Sequence, residues 1–179
     1  NTRTLGLVGL GGIGLATAER ALPFGMKVRA LRRRPDPSPL EGVEVVGSID
    51  ELLPAADHLV LAAPATPRTR HLINAETLAL VKPGVHLVNV ARGALVDQDA
   101  LRVALDDGRV AMATLDTVDP EPLPAGHWLY SHPKVRLSAH VSWAPPAGMA
   151  RTLEIFLDNL PRYAAGEQVL HVVDADEGY

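Results

Sequence analysis

A short apolar run that closes in a cluster of glycines lies near the start of this chain of 179 residues. The run is Leu5–Leu10, and Gly9-Leu10-Gly11-Gly12-Ile13-Gly14 leads from it into Ile13–Leu22, where apolar residues recur at helical spacing. In such a loop the first glycine permits a tight turn, the second lets the main chain approach a pyrophosphate, and the third lets the helix pack on the strand. The N-terminus of the helix then faces the negative charge.

This strand–turn–helix context predicts a dinucleotide-binding loop, against the alternative of an ordinary tight turn. A P-loop is disfavoured because no Gly-Lys-Ser/Thr follows. The cofactor-binding residues predicted in the loop are Gly9, Gly11, Gly12, Ile13 and Gly14.

Apolar runs and helix-like segments alternate along the chain. Runs bounded by turns and separated by helices are typical of a parallel sheet covered on both faces. The predicted fold is therefore α/β and doubly wound, of the Rossmann type. The predicted strands after the first are Lys27–Leu31, Val43–Val46, His58–Ala62, Val85–Val90, Val110–Leu115 and Val135–Leu137. The predicted helices after the first are Ile49–Leu53 with the cap Ser48, a helix from the cap Asn74 to Leu80, Asp97–Asp106, and Pro146–Ala164 ended by Gly166.

Composition and charge exclude several classes of function. The net charge of −4 gives no reason to expect nucleic acid or an anionic membrane as a partner. The longest apolar stretches, such as Leu59–Ala63, are too short to span a bilayer. The sequence has no cysteine, which excludes disulfides and thiolate metal sites and fits a cytoplasmic protein.

Three consecutive arginines follow the second predicted strand. Dinucleotide-binding folds that use NAD carry an Asp or Glu about 20 residues after the glycine loop, which accepts hydrogen bonds from the ribose 2′-hydroxyl. This chain has Arg32-Arg33-Arg34 there instead. Guanidinium groups bind a phosphate in a fork and stack on adenine, so Arg32 and Arg33 favour the 2′-phosphate of NADP. A solvated basic loop is the alternative, and use of NAD as well stays open.

Three ionisable residues are candidates for catalysis. Arg92 and His140 stand just past the ends of predicted strands, and Glu121 stands in the late proline-rich loop, Asp119–Pro133. In doubly wound sheets, ligands bind beyond the carboxyl ends of the strands, where we expect Arg92 and His140. Each has an ordinary alternative: Arg92 as a surface cation, Glu121 as one more charge in a loop, and His140 as a structural histidine. Taken together they indicate a catalytic site.

With the glycine loop, these segments resemble the cofactor domain of the D-isomer-specific 2-hydroxyacid dehydrogenases. That family includes glyoxylate/hydroxypyruvate reductases, phosphoglycerate dehydrogenases and D-lactate dehydrogenases. The likeness runs from about Thr4 to Gly166 and includes Pro64–Arg70, which resembles the family's Pro-x-Thr-x-x-Thr segment. The chain departs from the family in having Ser138-Ala139-His140 in place of Thr-Pro-His, and Val141-Ser142-Trp143 in place of Ile followed by two small residues.

The resemblance implies roles for individual residues. Arg92 would bind a substrate carboxylate and carbonyl with its planar fork. His140 would donate the proton as hydride reaches the 2-oxo carbon, and Glu121 would hold its imidazole ring. Asp116 matches the position that contacts the nicotinamide carboxamide. The other positions implied to line the cofactor are Pro64, Thr69, Ala91 and Ser142.

The resemblance also implies a larger protein. Family members have two domains, and the substrate domain comes mostly from residues that precede the glycine-loop strand. We therefore expect residues 1–166 to form the dinucleotide-binding domain and residues 167–179 to be a tail that returns to a substrate domain. The chain by itself is expected to bind NADP(H) and to turn over poorly or not at all. The family further implies a homodimer, with Trp128–Tyr130 and Pro146–Ala164 as contacts.

The leading hypothesis is NADPH-dependent reduction of a small 2-oxo acid, such as glyoxylate or hydroxypyruvate, to the D-2-hydroxy acid. A non-enzymatic nucleotide-sensing module of the same fold is the alternative, although a sensor has no need of a proton donor. A metal site is disfavoured because its candidate ligands lack helical spacing and no cysteine assists them. Those candidates are Glu121, His127, His132 and His140.

Overall fold

The computed structural model describes residues 3–34, 36–142 and 148–173. The chain forms two compact units, Asn1–Ala139 and His140–Tyr179. The boundary predicted at residue 166 concerns a return to a substrate domain, and it stays a prediction.

The first unit is built on a parallel sheet of seven strands in the order β3-β2-β1-β4-β5-β6-β7. The strands are β1 Thr4–Val8, β2 Lys27–Leu31, β3 Val43–Val46, β4 His58–Leu61, β5 Val85–Asn89, β6 Val110–Leu115 and β7 Val135–Leu137. The order reverses between β1 and β4, so the topological switch point, where doubly wound sheets bind ligands, lies beyond the carboxyl ends of these two strands. The predicted fold class is confirmed, and every predicted strand is present.

The helices of the first unit are α1 Gly12–Ala21, α2 Ile49–Leu52, α3 Ala75–Leu80 and α4 Gln98–Asp106. Short 3-10 turns lie at Leu22–Phe24, Leu53–Ala55, Gly93–Leu95 and Trp128–Tyr130. The predicted caps are confirmed: Ser48 accepts from the amide of Glu51, and Asn74 accepts from those of Glu76 and Thr77. The prediction that Asp119–Pro133 is a loop throughout is wrong in part, because Trp128–Tyr130 form a 3-10 turn within it.

Alternation along the strands builds a core on each face of the sheet. Leu59 and Leu61 of β4 point into a large apolar cluster that also contains Leu87 and Leu101. Val60, between them, points into a smaller cluster on the α1 side. Strands buried on both faces need apolar residues at every position, which is why they read as unbroken apolar runs.

The second unit contains α5, Gly148–Ala164. Gly166, at φ +69°, lies just beyond the helix, and Asn159 binds Leu170 through both its amide oxygen and its amide nitrogen. The helix start predicted at Pro146 lies outside the described residues. Within the described part of the chain, no helix has the length and apolar character needed to cross a membrane.

A buried carboxylate ties the amino ends of the sheet together. The side chain of Asp57, just before β4, is 7% exposed and lies 2.6 Å from Lys82 Nζ and 3.0 Å from Arg3 Nη1. The amide of Thr4 donates to its second oxygen at 2.8 Å. The Lys82 hydrogen bond, followed by the Thr4 amide and then Arg3, holds the pKa of Asp57 well below its ordinary value of 3.8. The ionised carboxylate therefore stabilises the fold.

We expect Asp57→Asn to lower the free energy of unfolding at pH 7 by about 1–2 kcal/mol, since both cationic partners are partly exposed. A carboxyl with a depressed pKa stabilises the folded state above its unfolded pKa, and that contribution is lost as the pH falls further. The difference between variant and wild type, measured by urea denaturation, should therefore shrink below about pH 4. Asp107→Asn is the control, because the partner of Asp107 among the described residues is Arg109, and both side chains of that pair are partly exposed. A pH-independent difference at Asp57 would contradict the assignment.

Candidate nucleotide-binding and catalytic site

The turn between β1 and α1 lies at the switch point of the sheet. Gly9 has φ +102°, and its amide donates to the carbonyl of Leu31 at the end of β2, at 2.8 Å. A Cβ on Gly9 would lie 2.7 Å from the carbonyl oxygen of Ala62, and one on Gly14 would lie 2.2 Å from that of Gly9. The tight turn and the close helix packing expected of these two glycines are therefore present.

The outer side of the same turn is open. A Cβ on Gly11 or Gly12 would meet no atom within 4 Å. The first helical residue of α1 is Gly12, and among the described residues no side chain caps this end. Amide groups at an uncapped helix N-terminus and a backbone without side chains fit a pyrophosphate, because the anion can approach the donors directly.

The arginine segment lies beside this turn. Arg32 directly follows Leu31, the residue that accepts from Gly9. The side chain of Arg32 is 25% exposed, 3.9 Å from Asp36, and Arg33 and Arg34 are exposed. The segment therefore places positive charge next to the glycine loop, with the acidic side chain of Asp36 near it.

The loop after β4 is closed by a threonine. The hydroxyl of Thr69 donates to the carbonyl of Pro64 at 2.7 Å and accepts from the amide of Thr66 at 2.8 Å. Both residues were predicted to line the cofactor. The structure shows that Thr69 also shapes the loop in which both lie.

A wholly buried asparagine fixes the turn that carries Arg92. Asn89, at the end of β5, is 0% exposed, and its amide oxygen accepts from the Ala91 amide at 3.0 Å. Its amide nitrogen donates to the Arg92 carbonyl at 2.9 Å. Its own carbonyl accepts from the amide of Asp116 at 2.9 Å. Sequence reasoning did not single out Asn89, although an amide side chain that ends an apolar strand is a signal for such a clamp.

Gly93 brings two candidate catalytic segments together. A Cβ on Gly93 would lie 2.0 Å from the carbonyl carbon of Val118, so the Arg92 turn packs directly on the chain that leads to Glu121. Arg70 lies 3.7 Å from the carboxylate of Asp119, at the start of that segment. Arg92 and Glu121 are both exposed.

His140 belongs to the second unit, as does Ser142. His140 is half-buried, three residues beyond the end of β7, and has φ +52°. The candidate catalytic residues are thus divided between the units, and the predicted pairing of Glu121 with His140 stays a prediction.

The other two histidines of the disfavoured metal site have local partners. His127 accepts from the amide of Leu129 at 3.3 Å, and His132 lies 3.3 Å from the carboxylate of Asp106. Within the described residues, no group of three or more His, Cys, Asp or Glu side chains is arranged to hold a metal ion.

Removing the Asn89 side chain leaves the buried amide of Ala91 and the carbonyl of Arg92 without these partners. We expect Asn89→Ala to lower the free energy of unfolding by about 2–3 kcal/mol, measured by urea denaturation. Asn159→Ala is a matched control, because Asn159 also uses both amide atoms but is only partly buried, and we expect a loss below about 1 kcal/mol there. Equal losses at the two sites would show that burial does not decide the effect.

Comparison with known proteins shows what this chain is similar to. Residues 1–142 match the family described as D-isomer specific 2-hydroxyacid dehydrogenase, NAD binding domain. The glyoxylate reductase of Thermococcus onnurineus is 40% identical over 167 residues, which cover 92% of this chain and 49% of that protein. The chain spans about half the length of the curated relatives it matches.

Solved structures that resemble this chain are also 2-hydroxyacid dehydrogenases. A D-isomer specific 2-hydroxyacid dehydrogenase from Xanthobacter autotrophicus Py2, in complex with NADPH and MES, is 39% identical with a TM-score of 0.90, covering 99% of this chain and 73% of that one. The D-lactate dehydrogenase of Lactobacillus jensenii with NAD+ is 30% identical with a TM-score of 0.86, covering 96% of this chain and 56% of that one.

Proposed function

The chain belongs to the D-isomer specific 2-hydroxyacid dehydrogenase family, and on that premise we propose that it holds NADP(H) for hydride transfer to a small 2-oxo acid of the glyoxylate or hydroxypyruvate type. The observation that carries the proposal is the open, uncapped glycine turn at the switch point. Polar groups at the carboxyl ends of neighbouring strands, Arg92 and Asp116, support it because substrates of doubly wound enzymes bind at that edge.

NADPH, when bound, supplies the hydride that the protein's own residues cannot provide. The backbone amides at the start of α1 bind the pyrophosphate, and Arg32 and Arg33 bind the 2′-phosphate. Asp116 accepts from the carboxamide, and Pro64, Thr69, Ala91 and Ser142 line the cofactor. These assignments are supported by the family resemblance and by the open face of the glycine turn.

Three side chains bind the substrate and transfer the proton. Arg92 binds the substrate carboxylate and polarises the carbonyl with its guanidinium fork. As the hydride reaches the carbonyl carbon, the imidazolium of His140 gives its proton to the carbonyl oxygen, which yields the hydroxy acid and a neutral imidazole. Glu121 orients His140. In the reverse reaction the same imidazole takes the proton from the hydroxyl group.

The preference for NADP rests on the segment after β2. Arg32 stands beside the glycine turn, where NAD-binding folds have a carboxylate. Arg32 already has an anionic neighbour in Asp36, so a 2′-phosphate would have to compete with it. The NADPH and NAD+ complexes among the structural neighbours leave both cofactors within the family's range.

We extend the proposal to assembly. A homodimer would use Trp128–Tyr130 and the helix α5 as contacts, and Tyr130 is 59% exposed. The cytoplasmic location remains a proposal that rests on the cysteine-free composition. The D-2-hydroxy acid activity is proposed for the whole protein, and for this chain we propose cofactor binding with slow turnover.

Titration with NADPH and NADH tests the cofactor assignment. We expect NADPH to bind at least about tenfold more tightly than NADH, because two guanidinium groups face the 2′-phosphate. In Arg32→Ser/Arg33→Ser this preference should disappear, while NADH binding stays within about twofold.

Arg20→Ser/Arg136→Ser is the matched control, since it removes the same charge at exposed positions of α1 and β7 that the proposal does not use. If NADH binds wild type as tightly as NADPH, or if Arg32→Ser/Arg33→Ser spares NADPH binding, the 2′-phosphate assignment is wrong.

Reduction of hydroxypyruvate tests the chemistry. With the chain at a concentration equal to NADPH, we expect slow oxidation of NADPH and a D-configured product. Arg92→Lys should slow the reaction at least about tenfold, because an ammonium group cannot form the bidentate fork. Arg136→Lys, at an exposed arginine on β7, serves as the control. An L-configured product would exclude the proposed reaction, and rapid multiple turnover of glyoxylate would overturn the expectation that this chain works slowly.

A further inference from the structure

The carboxyl ends of β6 and β7 hold a buried acid and an exposed serine side by side. Asp116 follows β6 and is 5% exposed, whereas Ser138 follows β7 and is exposed. The hydroxyl of Ser138 donates to Oδ1 of Asp116. We infer that Ser138 is a positioning residue, whose hydroxyl orients the Asp116 carboxylate toward the carboxamide of a bound nicotinamide.

A purely structural role explains this hydrogen bond less well than a positioning role does. β6 and β7 are already joined by backbone pairing, and the amide of Ser138 donates to the carbonyl of Leu115 at 3.0 Å. The side-chain bond is therefore not needed to hold the strands together. Ser138 is exposed, so it contributes little to the core, yet its hydroxyl acts on a carboxylate that is almost completely buried.

A buried carboxylate is costly to keep unless its interactions compensate for the lost water. Asp116 is placed at the edge of the sheet where doubly wound folds bind ligands. Its backbone is held from the other side by Asn89, whose carbonyl accepts from the Asp116 amide. With the main chain held by Asn89 and one oxygen by Ser138, the plane of the carboxylate has a defined direction before any ligand arrives.

A carboxylate has about four lone-pair positions on its two oxygens, so Asp116 can accept from further donors beside Ser138. The carboxamide nitrogen of nicotinamide is a donor of the matching kind, whereas the carboxylate of nicotinic acid has no N–H to give and carries a like charge. The arrangement therefore selects for the carboxamide form of the cofactor. This inference rests on the proposed function, because it assumes that a nicotinamide cofactor binds at this edge.

Threonine and valine at position 138 provide the test, since they have nearly the same shape and differ in the hydroxyl group. The binding of NADPH and of NADH would be measured by calorimetry beside that of their nicotinamide-free parts, 2′,5′-ADP and ADP. Ser138→Thr should bind all four ligands as wild type does. Ser138→Val should bind both complete cofactors about fivefold to tenfold more weakly and the two nicotinamide-free ligands unchanged.

A second readout is the ratio of the affinities for NADP+ and for its nicotinic acid analogue. Replacing a merely structural serine would not change this ratio. We expect wild type and Ser138→Thr to prefer NADP+, and Ser138→Val to lose most of that preference. Thr117→Val is the matched control, because the Thr117 hydroxyl is buried beside Asp116 and has no hydrogen-bond partner in the described part of the chain. Its removal should change neither measurement.

The outcomes separate this inference from the proposed function. If wild type binds neither complete cofactor, the proposed function fails and the role of Ser138 fails with it. If wild type binds them and Ser138→Val does so equally well, or loses the nicotinamide-free ligands to the same degree, only the role of Ser138 is overturned. Failure of Ser138→Thr to restore binding would overturn it as well, since the hydroxyl would then not be the active group.

Discussion

At the turn between β1 and α1, three stretches of main chain approach so closely that only hydrogen atoms fit between them. A side chain on Gly9 would overlap the carbonyl of Ala62 after β4, and one on Gly14 would overlap the carbonyl of Gly9. The same turn is tied to the end of β2 by the Gly9 amide. This contact sets where α1 begins and which way its first amides point, and it leaves Gly11 facing open space. The proposed pyrophosphate site depends on that geometry, as does the place of Arg32 next to it.

The two ends of the sheet are stabilised by different chemistry. At the amino ends, Asp57 is paired with Lys82 and Arg3, and its charge contributes to folding. At the carboxyl ends, Asn89 uses neutral hydrogen bonds to hold the Arg92 turn and the start of the Asp116 segment. A neutral clamp suits this edge, because it adds no charge of its own to a place where Arg92 and Asp116 are proposed to meet charged or polar ligands. The ion pairs of Asp57 thus lie at the end of the sheet opposite the proposed site.

The residues proposed for the site are divided between the two units. The first unit holds the glycine turn, the arginine segment, Arg92, Asp116 and Glu121, which makes it a cofactor-binding body in the family's sense. His140, the proposed proton donor, belongs to the second unit. The chain spans about half the length of the relatives it matches. For this chain, we therefore propose cofactor binding and substrate turnover as two separate properties.

Much of the fold follows from local sequence. The unbroken apolar runs specified the strands, and Ser48 and Asn74 marked helix starts, because caps and strand burial depend on residues a few positions apart. The resemblance pointed to the family, which residues 1–142 confirm. The tertiary structure decided what distant segments do together. Asn89 joins the Arg92 turn to Asp116, Gly93 packs on Val118, and Ser138 donates to Asp116. These contacts join strands and loops that are remote in sequence, and only the pairing of β5, β6 and β7 brings them to one edge of the sheet.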